Sequence, residues 1–239
     1  MTHPSRSTGA GGLPARWPHG SFLATLSETD RGALLALGTG RRFATGAALV
    51  REGEPGTDVY VLQRGCVKVL GDTVDGHTTL LAIRVPGDLI GELAGQRTAV
   101  RSATVRAAAR CEARCIDRAT FDAYLLRHPA ATRVLLASVT AKLQQATRFR
   151  IDLAGASATV RLARTLLPLY ETYARPGGGV IDVSLSQREL AALAGVAPAS
   201  VFRALAALRE RGAVSTGYRR VAVSDPQELA RVARNEDPQ

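Results

Sequence analysis

Apolar residues between Ala47 and Ile116 come in short runs: "AALV", "DVYVLQ", "CVKVL", "TTLLAIRV", "SATVRAA" and "CEARCI". Turn signals separate them at Gly53-Glu54-Pro55-Gly56, Arg64-Gly65, Asp75-Gly76 and Pro86-Gly87-Asp88. Apolar and polar residues partly alternate in "VYVLQRGCVKVL", as they do in half-buried antiparallel strands. A short helical pattern of Phe22, Leu23, Leu26, Leu34 and Leu35 precedes the runs. Closely spaced strands with glycine turns predict a sandwich or jelly roll from about Phe22 to Asp117.

The pattern then changes period. From about Thr120 to Leu153 the glycines disappear, and Leu136, Val139, Leu143 and Ala146 recur at spacings of three and four, with Leu153 continuing the stripe. Pro129 fits near a helix start. A stripe this long usually meets a partner, and a second copy of the chain is the simplest one; packing on its own barrel is the alternative. Arg150 interrupts the seam.

From about Ser157 the chain reads as a helix, a turn, two short helices and a hairpin. Ser157 can cap a helix carrying Val160, Leu162, Ala163, Leu166 and Leu167, which "RPGGG" ends near Gly177. In "LSQRELAALAGVAPASVFRALAALRERGAVS", Ser186 and Glu189 have capping-box spacing. Leu190 and Leu193 face inward, Gly195 sits where the chain must reverse, and Pro198 suits the first position of the next helix. Val201, Leu205 and Leu208 supply that helix's inner face. Ala199, Ser200 and Arg203 point outward, where Arg203 can grip guanine through O6 and N7. Gln187 and Arg188 open the first helix and join the DNA-contacting set. "RGAVSTGYRRVAVS" follows as strand, turn and strand, a wing with Arg219 and Arg220 near its tip. The whole is a winged helix-turn-helix.

Composition adds a partner. The net charge is +10, and of 31 Lys and Arg residues only Lys68 and Lys142 are lysines. Arginine forks match phosphates and guanine edges, so nucleic acid is the first expectation. The start, "MTHPSRSTGAGGLPARWPHGS", has no apolar core segment of a secretory signal and reads as a disordered arm. No apolar run approaches the roughly 20 residues that cross a bilayer. No membrane partner is expected, and the cytoplasm follows as the expected location. Cys66, Cys111 and Cys115 suit neither a disulfide framework nor an iron–sulfur site. His77 and His128 lack partners at ligand spacing, and no nucleophile motif or Walker loop is present, so neither a metal site nor catalysis is expected.

The stretch "GELAGQRTAVRSATVRA", Gly91 to Ala107, places an acid and an arginine at the two ends of a glycine-bearing loop. The pair is either a salt bridge or a clamp for a ligand carrying both a hydroxyl and a phosphate. In this order of elements the chain resembles the cyclic AMP receptor protein (CRP/FNR) family of bacterial transcription regulators, from roughly Phe22 to Leu229. The stretch resembles that family's phosphate-binding cassette. The resemblance implies that Gly91 and Glu92 meet a ribose, that Arg101 and Ser102 meet a cyclic phosphate, and that Leu93 belongs to the same site. Chemistry agrees, because a carboxylate is a pure acceptor and arginine beside a hydroxyl suits an anion. "KLQQATRFRIDLAGASATVRLARTLLPL" aligns with the family's long helix, where two adjacent hydroxyl residues meet the purine; here they are Ala146 and Thr147, so one hydroxyl is missing. The cassette loop is about one residue shorter than the archetype's, and Gly95 stands where a large apolar residue is common. Pro198-Ala199 replaces the archetype's Arg-Glu pair, implying a different operator. Ala197 replaces the usual N-cap, at about 1 kcal/mol in helix terms.

The expected fold is α+β: a disordered arm (1–20), a cyclic-nucleotide-binding jelly roll (21–128), a dimerisation helix and hinge (129–155) and a winged helix-turn-helix (156–239). The expected dimer seam is Leu136, Val139, Leu143, Ala146 and Leu153. The expected effector is cyclic AMP first and cyclic GMP second. The expected partners are double-stranded DNA with an inverted-repeat operator, a second copy of the chain, and RNA polymerase. Two rivals remain: a cyclic-nucleotide module regulating a protein partner, and a DNA-binding dimer whose sensor domain binds no cyclic mononucleotide.

Overall fold

A computed structural model of the chain describes residues 17–18, 20–93, 100–173, 185–217 and 220–236. Most of the expected arm, Gly95, the "RPGGG" stretch and Arg219 lie outside them.

Two four-stranded antiparallel sheets form the N-terminal part. One has the order β1 (Thr39–Phe43), β8 (Cys111–Ile116), β3 (Val59–Arg64), β6 (Leu89–Ile90). The other has the order β2 (Ala48–Val50), β7 (Thr104–Ala107), β4 (Val67–Asp72), β5 (Thr78–Arg84). Their alternation divides the core in two. Leu62, with Val67, Ile90, Val105, Cys111 and Ala113, fills the space between the sheets, and Tyr60 packs there partly buried. Val59 and Val61, on the opposite face of β3, pack against helices α1 (Phe22–Thr25), α2 (Glu28–Leu35) and α3 (Arg118–Arg127) through Phe22, Leu23, Leu34, Phe121 and Tyr124. Trp17, which the sequence assigned to the arm, is partly buried against this second cluster. The sequence pattern did not yield β1, whose "TGRRF" has no apolar alternation, or the two-residue β6.

Helix α4 (Pro129–Gly155) has 27 residues, and at 1.5 Å per residue it is about 40 Å long. Its base is fixed to the jelly roll. His128 Nδ1 lies 2.7 Å from Asp30 Oδ1, and the His128 ring stacks 4.6 Å from Tyr124, whose hydroxyl donates to the Asp30 carbonyl at 3.0 Å. Ala131 is buried, whereas Leu136 and Leu143 are 66% and 67% exposed.

The C-terminal part comprises α5 (Ala158–Tyr173), α6 (Gln187–Ala194), α7 (Pro198–Glu210), β9 (Val214–Gly217), β10 (Arg220–Val223) and α8 (Pro226–Arg234). Leu162, Leu166, Leu190, Val201, Leu205, Leu208 and Val221 form its core. Helix α8 adds Leu229 and Val232 to that core, an element missing from the sequence reading. Asp225 caps it by accepting from the N–H groups of Gln227 and Glu228, and Pro226 sits at its start.

Polar and apolar contacts join the halves. Arg164 of α5 bridges the Asp152 carboxylate at the end of α4 to the Ala233 carbonyl at the end of α8. Cys66 and Leu80 of the jelly roll join the C-terminal core, and beside them Lys68 of β4 pairs with Glu189 of α6 at 2.6 Å.

Candidate functional site

The segment after β6 turns sharply at Gly91, whose φ of +79° favours glycine. A methyl group there would collide with Arg101 Nη1, so the glycine is what lets the guanidinium lie against the turn. Arg101 is only 6% exposed. Its backbone is fixed by the β2–β3 loop: its N–H donates to the Glu54 carbonyl at 3.0 Å, and its carbonyl accepts from Gly53 at 2.9 Å. Its Nη2 donates to the Asp58 carbonyl at 2.9 Å. Nη1 is buried and has no hydrogen-bond partner among the described residues. A buried, unpaired donor on a cation is costly. Its natural complement is an anionic oxygen.

Glu92 is also buried, yet it does not close on Arg101. Its Oε1 accepts from Lys142 Nζ of α4 at 2.7 Å, and its carbonyl accepts from Arg118 Nη1 at 3.1 Å. Arg118 is held in turn by both oxygens of Asp122. The sequence left open a salt bridge between the loop's two ends; the structure gives each end a different partner. The carboxylate faces the long helix and the guanidinium faces the β2–β3 loop. Leu93 is half exposed and Ser102 is exposed beside Arg101. The residues therefore fit a cyclic nucleotide. The unpaired nitrogen and the glycine turn suit the phosphate, and the adjacent carboxylate suits a ribose hydroxyl.

Lys142 was absent from the expected site. Its signal was rarity, since it is one of two lysines among 31 cationic residues. Thr147 lies five residues further along α4, about 7.5 Å of helical rise, and is exposed, as are Ala146, Leu136 and Leu143. Val139 is partly buried. Leu153 is divided between two surroundings: it is 46% exposed, yet with Phe149 it touches Gly195 in the turn between α6 and α7.

That turn is built as its sequence requires. Ser186 accepts from the Glu189 N–H, the Glu189 carboxylate accepts from the Ser186 N–H, and α6 ends on Gly195 at φ +62°. Helix α7 starts at Pro198 without a side-chain cap, as Ala197 implied, and crosses α6 at 90°. Gln187, Arg188, Ala199, Arg203 and Arg220 are exposed, and Ser200 is partly so. Ser200 Oγ accepts from Arg203 Nη2 at 3.4 Å. Among the described residues no group of His, Cys, Asp and Glu is placed to hold a metal, and no single helix is long and apolar enough to cross a membrane.

A double-sheet β domain with a glycine turn against a buried arginine, a long helix and a helix-turn-helix define the class of transcription regulators that join a sensor-type β domain to a DNA-binding domain. Comparison with known proteins agrees. Residues 40–128 match the cyclic nucleotide-binding domain and residues 160–232 match the Crp-like helix-turn-helix domain. Over 194 residues the chain is 30% identical to a Mycobacterium tuberculosis protein described as a CRP-like cAMP-activated global transcriptional regulator, covering 80% of this chain and 87% of that one. A CRP-family transcriptional regulator from Thermus thermophilus has a structure similar at a TM-score of 0.66 with 27% identity, covering 81% of this chain and 96% of that one. FixK2 from Bradyrhizobium japonicum shares the fold at a TM-score of 0.69 with 23% identity, covering 85% of this chain and 98% of that one. The chain belongs to the CRP/FNR family of transcription regulators, which are DNA-binding proteins and not enzymes.

Proposed function

We propose that the chain works as a homodimer whose affinity for an inverted-repeat operator is set by a cyclic mononucleotide, cyclic AMP before cyclic GMP. The observation that carries this reading is the buried, unpaired Arg101 Nη1 against Gly91, next to a carboxylate tied to the long helix by Lys142. Arg101 and Ser102 hold the phosphate, Gly91 and Glu92 hold the ribose, Leu93 flanks it, and Thr147 meets the base. The ligand supplies a hydroxyl and an anion in one rigid unit. When the hydroxyl engages Glu92, the Lys142 pair must share or release that carboxylate, and α4 feels the change. A ligand shifts the regulator only by its different affinity for the two arrangements of that helix. The similarity to a cAMP-activated relative favours cyclic AMP.

In this reading residues 21–128 bind the nucleotide, 129–155 pair two chains along Leu136, Val139, Leu143, Ala146 and Leu153, and 156–239 bind DNA. Gln187, Arg188, Ala199, Ser200, Arg203, Arg219 and Arg220 form the DNA face, and the bound dimer acts on RNA polymerase. Calorimetric titration of nucleotide-stripped protein tests it. Cyclic AMP should bind well below millimolar, where binding free energy falls to about −4 kcal/mol. Arg101→Leu should abolish binding, because the phosphate then lies buried without a counter-charge. If neither cyclic nucleotide binds, the sensor is a scaffold and the reading fails.

A further inference from the structure

Helix α7 carries a residue that its fold does not explain. Val201, Ala204, Leu205 and Leu208 are buried in the domain core. Phe202 is not among them: it is 61% exposed. Residues 199, 202, 203 and 206 are spaced by three and four, so Ala199, Phe202, Arg203 and Ala206 share one side of the helix. Arg203 is the only one of the four whose side chain can hydrogen-bond, and Ser200 lies beside it at 3.4 Å. In the first turn of the helix, Pro198 and Ala199 cannot address a base edge by hydrogen bonding, and Ser200 is partly buried and accepts from Arg203.

We propose that Phe202 is a specificity-determining residue that reads the 5-methyl group of a thymine beside the guanine gripped by Arg203. The proposal rests on the assignment of α7 as the helix that enters the major groove. A phenyl ring has neither donor nor acceptor, so it cannot distinguish the N7, O6, N6 or N4 groups on base edges. The thymine methyl is the apolar feature of the major groove. Consecutive helix residues rise about 1.5 Å against about 3.4 Å per base step, so neighbours 202 and 203 address the same or adjoining base pairs. Ala199 and Ala206 are short, leaving the ring room to lie against the groove floor. The helix therefore sets an apolar reader, Phe202, beside its hydrogen-bonding residues Ser200 and Arg203.

The test starts by selecting bound sequences from a random duplex library with the full-length protein. Each thymine of the enriched site is then replaced by deoxyuridine, which removes only the methyl group. Wild type, Phe202→Ala, Phe202→Leu and Arg203→Ala are compared by equilibrium binding. At one thymine within two base pairs of the Arg203 guanine, deoxyuridine should weaken wild type by about three- to fivefold, the scale of burying one methyl group. Phe202→Ala should bind both duplexes alike while keeping the guanine preference, and Phe202→Leu should retain part of the discrimination. Because Phe202 is exposed, unchanged melting of the variants is expected and checks their folding. A methyl-insensitive wild type, a site without that thymine, or full discrimination by Phe202→Ala would overturn the thymine contact alone. An unaltered guanine preference in Arg203→Ala, or no enriched sequence at all, would overturn the DNA-face assignment and this proposal with it.

Discussion

Glu189 shows how one side chain serves two levels of structure. Its Oε2 accepts from the Ser186 N–H and hydroxyl at 2.8 and 3.0 Å, closing the cap of α6, while its Oε1 takes Lys68 from the jelly roll at 2.6 Å. Burial alone would raise the Glu189 carboxyl, but the hydrogen bonds from Lys68 and Ser186 outweigh it and hold the group below its usual 4.5. The folded value is thus lower than the unfolded one. The stabilisation is present above pH 4.5 and is lost as pH falls through the folded value. Glu189→Gln keeps the capping geometry but removes the charge pair. It should cost about 0.5–1 kcal/mol at neutral pH, the scale of a partly exposed ion pair, and flatten the loss of stability below pH 4.5. Urea unfolding at neutral and acid pH reads both effects. The cassette teaches the same lesson: the sequence supplied Glu92 and Arg101, but their partners, Lys142 and Asp58, stand 50 and 43 positions away. No local pattern encodes a contact that the fold creates.

At the level of elements, legibility followed locality. The helix-turn-helix could be read in detail because its cap, its left-handed glycine and its starting proline each act within four residues. Strand β1 could not, because its pairing with β8 is supplied by residues 39↔115 to 43↔111 and not by its own pattern. Helix α8 was overlooked although Asp225-Pro226 opens it, because its nine residues carry only Leu229, Val232 and the small Ala233 to mark the buried face. The long helix lies between these cases. Its length was evident, and Leu136 and Leu143 on it are exposed; the proposed dimer would cover them. Sedimentation at micromolar concentration should show a dimer for the wild type. Leu143→Arg would bury an unpaired cation at the seam, at a cost of several kcal/mol, and should sediment as a monomer while retaining its helical content.

For the whole molecule, a net charge of +10 makes binding to DNA sensitive to salt. A two-fold dimer should recognise half-sites about 34–36 Å apart, one helical turn. Arg220→Ala removes an exposed cation at the wing and should weaken all sequences similarly, lowering the salt slope by about 1. Fluorescence anisotropy at several salt concentrations reads this directly. The rarity of lysine has a practical consequence. Lys142 sits on the Glu92 carboxylate of the proposed nucleotide site, and Lys68 spans the two halves of the chain. Reductive methylation with isotope-labelled formaldehyde would therefore place one spectroscopic tag at each station, beside the terminal amine, without any mutation. Added nucleotide should move the first resonance directly and the second only if the two halves shift against each other, so one spectrum separates occupancy from response.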